Sequence, residues 1–175
     1  MKKAEAVKAA SQPQPVNQPQ KIEGTGSVWN VNSYHWEEKS VAKWSEDTLK
    51  RTLSSFTHTF NDAELRITEV ITLKGESSVS IRKAKKLILY EYEIKLRWEL
   101  SLSDGDGKVV SKCEGTYELP EMSNEDGWKD WEVRVVYTKD EHDLRSAMDQ
   151  MVRKFAPEAL KQKVQTEFVE ELQKK

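Results

Sequence analysis

The chain is poor in the residues that several common kinds of protein depend on. It has one cysteine, Cys113, in 175 residues, which excludes an intramolecular disulfide and any multi-cysteine metal site. No apolar run approaches the roughly 18 residues that a membrane-spanning helix needs. No hydrophobic segment follows Lys2 and Lys3, so we expect no secretory signal. These absences favour a protein of a reducing compartment, the cytoplasm, with no membrane association.

The sequence also lacks the patterns of common catalytic sites. We find no nucleophile–base pairing, no phosphate-cradling glycine loop and no metal cluster, so we expect neither enzymatic activity nor a cofactor. His35 has no second histidine or cysteine nearby, which makes it a weak metal ligand. The net charge of −2 gives no general attraction to nucleic acid.

What the chain does contain indicates one folded domain and a tail. Residues 1–26 are rich in glutamine and proline and have few apolar anchors, which predicts a disordered tail. Residues 27–175 carry all six tryptophans and the apolar periodicities, which predicts a single domain with a real core. The segment around Trp29, Trp36 and Trp44 is dense in aromatic rings, and we expect it to lie against that core.

The chain is organised around residues 82–102. Four basic side chains come first: Arg82, Lys83, Lys85 and Lys86. Apolar residues then occupy every second position from Ile88 to Leu102, and from residue 91 onward the positions between them are charged or, at Ser101, polar. This period of two predicts a long strand with one face on a core and the other in water.

Two leucines break that alternation. Leu87 and Leu89 lie on the otherwise polar face, beside the basic cluster. Either they form a small partner-binding patch, or a helix or loop of the chain covers them.

The remaining elements surround this strand. A helix is predicted from an N-cap at Ser45 to about Thr57, and strands are predicted at residues 63–73, 109–119 and 131–137. The residues that set their limits are Gly75 as a bend or bulge, an Asp-Gly hairpin at residues 103–107 and Pro120 as a strand terminator. In the first of these strands, Leu65, Ile67, Ile71 and Leu73 are expected on one face, and Val109 and Cys113 are in phase in the next.

The C-terminal third reads as a long helix. Its predicted apolar stripe runs through Leu144, Met148, Met151, Val152 and Phe155, then Leu160, Val164, Phe168 and Leu172. Pro157 is expected to kink or split it, or to begin a second helix. The order of elements predicts an α+β fold: an N-terminal helix, a four-stranded antiparallel meander sheet and a long C-terminal helix packed on the sheet, in an elongated molecule.

Two separated motifs resemble one known family. Residues 30–36, NVNSYHW, resemble the N-x-N-N-W-H-W signature of the N-terminal domain of the activator of heat-shock protein 90 ATPase; the matching positions are Asn30, Asn32, Tyr34, His35 and Trp36. Arg82, Lys83, Ala84 and Lys85 resemble the R-K-G-K motif of that family, and Gly75-Glu76 before it also fits. Ala84 stands where the family has glycine, so a positive φ there would be strained.

The resemblance implies a cochaperone rather than an enzyme. Such a module binds the middle domain of heat-shock protein 90, and possible contact with the N-terminal domain is also implied. It stimulates ATP hydrolysis by remodelling the catalytic loop. By position, Arg82, Lys83 and Lys85 would be the activating residues, while Leu87, Leu89 and Glu76 would contact the chaperone. We expect a cytoplasmic monomer.

Other functions fit the residues less well. A nucleic-acid-binding module would use the basic patch, but Tyr90 and Tyr92 are predicted on the core face instead of outward on a basic groove. A ligand-binding module would need a cavity under the sheet, which the sequence leaves open.

Overall fold

The structure, a computed structural model, describes residues 37–139 and 145–175. In that part of the chain the strands are β1 (Glu37–Ser40), β2 (Thr57–Thr59), β3 (Ala63–Arg82), β4 (Lys85–Ser103), β5 (Val109–Ser123) and β6 (Arg134–Lys139). The helices are α1 (Ala42–Ser54), α2 (Arg145–Gln150), α3 (Ala156–Val164) and α4 (Glu170–Gln173), and π-helical turns at Met151–Phe155 and Gln165–Val169 join the last three. The predicted tail, the motif at residues 30–36 and Leu144 lie outside the described residues.

The strands form one antiparallel sheet in the order β1-β3-β4-β5-β6, and β2 pairs with the first residues of β3, from Glu64 to Arg66. The predicted α+β class and the run of consecutive hairpins are confirmed. The predicted count of four strands is too low, because β1 and β2 are short edge pieces of four and three residues. At about 3.4 Å per residue, the 20 residues of β3 extend over roughly 65 Å, which makes the sheet long and narrow.

One face of the sheet, the core face, carries the hydrophobic core. The even-numbered residues of β4 from Tyr90 to Leu100 are all buried there, as the alternation predicts. The opposite face, the open face, carries cross-strand ion pairs such as Arg97–Glu69 and Arg66–Glu99. The strand faces of the organising segment are therefore as predicted.

β3 departs from simple alternation at two bulges. Its register against β4 shifts between Ile67 and Glu69 and again between Val70 and Thr72. Each bulge adds one residue, so Val70 joins Ile67 on the core face while Ile71 is 39% exposed. The prediction that Ile71 shares the buried face is wrong for this reason.

Gly75 is neither a bend nor the end of the strand. It pairs with Tyr92 in regular register, with φ of +156°, and a Cβ there would lie 2.0 Å from the Glu91 carbonyl oxygen. The prediction of a bend or bulge is wrong because the glycine serves close packing against β4. β3 therefore continues past Leu73 to Arg82.

β5 also runs further than predicted. Pro120 sits in a bulge, where Pro120 and Glu121 lie opposite the single residue Glu93. A proline in a bulge removes no ladder hydrogen bond, so the strand continues. Val109 lies at the exposed start of β5 rather than in the core. The Asp-Gly hairpin is confirmed: the Asp104 carboxylate accepts bonds from the backbone N–H groups of Asp106 and Lys108.

The last strand starts later than predicted. Trp131 is buried, and its Nε1 donates to the Ser123 carbonyl oxygen at 3.0 Å, but it precedes β6, which begins at Arg134. Trp131 is therefore buried as part of the loop that precedes β6. Lys161 holds this loop by donating hydrogen bonds to the backbone carbonyls of Lys129 and Trp131.

Both helical regions differ in detail from the prediction. α1 begins at Ala42 and ends at Ser54, so Ser45 is not its N-cap. The Ser45 side chain is buried, and its hydroxyl oxygen accepts a hydrogen bond from the Ser77 hydroxyl of β3 at 2.6 Å. The C-terminal segment packs on the core face through Val152, Leu160, Val164, Phe168 and Leu172, all buried. None of the helices in the described residues is long and apolar enough to cross a membrane.

Pro157 begins a second helix, which is one of the expected alternatives: it lies in the first turn of α3, directly after the π-helical turn. At that position the missing N–H costs little. The π-helical turn also changes the helical phase. Phe155, predicted in the buried stripe, is 45% exposed as a result.

Candidate functional site

The basic motif forms the turn of the β3–β4 hairpin. Arg82 pairs with Lys85, and the two residues between them, Lys83 and Ala84, have φ of +49° and +59°. Two central residues at positive φ are the geometry of a type I′ turn, which matches strand twist and favours Asn-Gly. Ala84 is thus held in the left-handed conformation that a glycine adopts without steric cost. The strain expected for an alanine with positive φ at this position is therefore present.

The two leucines follow this turn on the open face. Leu87 is 48% exposed and Leu89 is 46% exposed. Their partners across β3 are Ser80 and Ser78, whose short side chains leave the leucines standing above the sheet. In the part of the chain that the structure describes, no helix or loop covers them fully.

The basic cluster divides between the two faces of the sheet. Arg82 and Lys85 share the open face with Leu87, and Lys83 lies in the exposed turn. Lys86 has the parity of Ile88 and Tyr90 and lies on the core-face side, where its Nζ donates to the Gln173 carbonyl oxygen at 2.8 Å. From the sequence, the four basic residues are interpreted as one cluster. Their spacing does not show that Lys86 contacts a backbone carbonyl of a distant helix.

An acidic groove adjoins the leucines. It encloses about 500 Å³, and its lining includes Leu89, Asn124 and the acidic side chains of Glu38, Glu76, Glu91, Glu121 and Glu125. Glu76 and Glu91 are directly opposite each other across β3 and β4, and like charges in that arrangement are destabilising. A cationic group in the groove would relieve this repulsion.

The floor of the groove includes Ser123. Its hydroxyl is buried and has no hydrogen-bond partner among the described residues. Asn124 beside it is fixed, because its Oδ1 accepts from the Tyr90 backbone N–H at 3.1 Å. Of these carboxylates, only Glu76 is predicted as a site residue from the sequence. The others come from β1, β4, the end of β5 and the loop after it. Among them, only Glu91 could have been found, because its position in the alternation places it on the same face as Leu89.

Other predicted site residues lie elsewhere. Asn30, Asn32, Tyr34, His35 and Trp36 are outside the described residues. Tyr90 and Tyr92 are buried on the core face, where both pack edge-on to Phe168. In residues 37–139 and 145–175, no group of three or more His, Cys, Asp or Glu side chains is placed to hold a metal ion.

Taken together, the fold and the site define a small α+β module. One end of its sheet (the tip, residues 78–89) displays an apolar pair between a basic turn and an acidic groove. The family described as "Activator of Hsp90 ATPase, N-terminal" matches residues 38–175. The chain belongs to this family.

Individual relatives agree with that assignment. The human "Activator of 90 kDa heat shock protein ATPase homolog 1" is 33% identical over 122 residues, covering 70% of this chain and 35% of the relative. "Hsp90 co-chaperone HCH1" of Saccharomyces cerevisiae is 27% identical over 108 residues, covering 57% of this chain and 69% of the relative. The chain spans about a third of the length of the first curated relatives it matches.

Solved structures show the same fold. The crystal structure of Aha-1 from Plasmodium falciparum superposes with a TM-score of 0.65 at 27% identity, covering 78% of this chain and 88% of that one. The solution structure of the human Aha1 N-terminal domain gives a TM-score of 0.51 at 29% identity, covering 78% and 99%.

Proposed function

We propose that this chain is a cochaperone module that binds the middle domain of heat-shock protein 90 and stimulates its ATPase. The observation that carries the proposal is the tip, where Leu87 and Leu89 stand half-exposed between a basic turn and an acidic groove. The names of its relatives, which include ATPase activators and a co-chaperone of Hsp90, support the same partner. Contact with the N-terminal domain of the chaperone is a further part of the proposal, as are a monomeric state and a cytoplasmic location.

The two kinds of group at the tip would have different tasks. The leucines supply apolar area that is removed from water on binding. Arg82, Lys83 and Lys85 supply charge on and beside the turn, which steers association and can hold a polar loop of the chaperone in its active position. An activator without catalytic groups of its own must bind one conformation of its partner better than the others.

The acidic groove extends the proposed contact surface. Its carboxylates and Glu76 would pair with basic side chains of the chaperone next to the patch that receives Leu89. Charge of both signs around one apolar pair fixes the orientation of a docked partner.

A nucleic-acid-binding role is disfavoured by the same geometry. The aromatic residues near the basic turn are buried, so they offer no stacking surface. The groove beside them is lined by carboxylates, which repel a phosphate backbone.

The test is the ATPase rate of purified heat-shock protein 90 titrated with this chain, with calorimetric binding to the isolated middle domain. We expect a saturable rise in rate and a one-to-one complex. Leu87→Ala with Leu89→Ala should weaken the complex and shift the rise in rate to higher concentrations of the chain. The matched control is Val136→Ala, which truncates a 47% exposed side chain of the open face on β6. No rise in rate with the unaltered chain would refute the proposal.

A further inference from the structure

Lys86 differs from its basic neighbours in what it contacts. Its Nζ donates to the Gln173 carbonyl oxygen, 2.8 Å away, across 87 positions of sequence. Lys86 follows the turn on β4, and Gln173 is the last residue of α4. The contact therefore joins the tip to the end of the C-terminal helical segment.

The contact is a charge-assisted hydrogen bond to the helix backbone. The backbone N–H groups of Lys174 and Lys175 donate to the carbonyls of Glu171 and Leu172, and the ammonium group of Lys86 donates to the carbonyl of Gln173. A hydrogen bond from an ionised donor is stronger than one between neutral groups.

Within the described residues, the tip has few other supports on that side. The pairing of β5 with β4 ends at Glu91 and Ser123, so residues 85–90 of β4 pair with no described strand except β3, and Asn124 accepts from the Tyr90 backbone N–H. The C-terminal segment fills the space under them. Phe168 lies edge-on to Tyr90, at 5.7 Å between ring centroids, and stacks with Trp44 of α1 at 6.1 Å.

A second lysine fastens the same helix end from the other direction. The Nζ of Lys175 lies over the Trp44 ring, 4.5 Å from its centroid. The final helical turn is thus tied to α1 by Lys175 and to the hairpin by Lys86.

We infer that Lys86 is a positioning residue that fastens the tip to the C-terminal helix, so that Arg82, Lys83, Lys85 and the two leucines are presented in one orientation. Its effect on the chaperone rests on the proposed function. A tip that is already ordered loses less conformational freedom on docking. Loss of Lys86 should therefore weaken apparent affinity and leave the maximal stimulated rate unchanged.

The experiment compares Lys86→Ala, Lys86→Arg and Lys108→Ala. Lys108 is an exposed lysine of the opposite hairpin, so its removal changes the net charge equally. Lys86→Ala should raise the half-saturating concentration in the chaperone ATPase assay about two- to fivefold, the range of one exposed charged contact. Lys86→Arg should restore the wild-type value, and Lys108→Ala should match wild type.

Amide hydrogen exchange in the isolated chain provides the second readout. Residues 78–89 should exchange faster in Lys86→Ala than in Lys108→Ala. An unchanged exchange rate, failure of the arginine variant to rescue, or a lowered maximal rate would each overturn the inference. A wild-type chain that fails to stimulate the chaperone removes the proposed function, whereas the exchange comparison still decides whether Lys86 fastens the tip.

Discussion

Replacing Ala84 with glycine should stabilise the protein. Ala84 has φ of +59° in the two-residue turn, and the left-handed conformation costs an L-residue about 1–2 kcal/mol. Glycine removes that cost but loses more backbone entropy on folding, which returns about 0.5–1 kcal/mol. The net gain is about 0.5–1 kcal/mol, a rise in melting temperature of roughly 1–4 °C for a chain of this size.

Urea unfolding and calorimetry measure this difference, with Ala159→Gly as the matched control. Ala159 lies in α3, so the same substitution should cost about 1 kcal/mol there. The two variants should therefore shift the unfolding midpoint in opposite directions. If Ala84→Gly lowered the midpoint as Ala159→Gly does, the assignment of a strained type I′ turn would be wrong.

Four further outcomes are expected. Trp98→Ala should cost about 3–5 kcal/mol through cavity formation, because Trp98 is fully buried against Tyr117 and Tyr137. Arg97→Ala should cost under about 1 kcal/mol, because Arg97 is half-exposed; similar urea midpoints for the two would show that the strand faces are reversed. Burial raises the pKa of Tyr90 to about 12, so its contribution to stability is complete below pH 10 and is lost as the pH rises toward 12. Tyr90→Phe should reduce that alkaline loss, and an identical pH profile would contradict it. Glu121→Gln with Glu125→Gln should raise the half-saturating concentration for chaperone stimulation at low salt, and the difference should shrink as salt screens the groove; a difference independent of salt would argue against an electrostatic role.

The spine of the fold could be predicted because its signal is local. Alternation of apolar and polar residues from Tyr90 to Leu102 specifies both faces of β4. Leu87 and Leu89, which depart from this alternation, are the leucines of β4 that the structure leaves exposed. The Asp-Gly hairpin follows in the same way from turn chemistry. Such features depend on near neighbours in the chain, which the sequence displays directly.

The errors arise where a distant strand or helix decides the outcome. Ile71 and Pro120 are placed by bulges, whose position depends on register against β4. Ser45 resembles a helix cap, but its buried bond to Ser77 shows that packing on β3 decides its place. Phe155 leaves the core through a π-helical turn that no apolar period predicts.

The sequence predicts only part of the candidate site, for the same reason. The motif and the leucines are contiguous, so sequence shows them together. The acidic groove gathers carboxylates from residues 38 to 125, and the contact of Lys86 spans 87 positions. Only the folded structure brings those groups together at one end of the sheet.

At the tip, the leucines and the basic residues have separate tasks in the proposed function. One titration tests this directly, in which the chaperone ATPase rate is measured against the concentration of each of two double variants. Leu87 and Leu89 are about half-exposed, so completing their burial is worth roughly 1.5–3 kcal/mol together. Leu87→Ala with Leu89→Ala should thus raise the half-saturating concentration roughly 10- to 160-fold with the same maximal rate.

Lys83→Ala with Lys85→Ala should instead lower the maximal stimulated rate, even at saturating protein. That split is what a docking patch beside a loop-holding turn predicts. If the lysine variant reached the wild-type maximum at high concentration, the charges would only assist docking, and the proposed remodelling of the chaperone's catalytic loop by this turn would be contradicted.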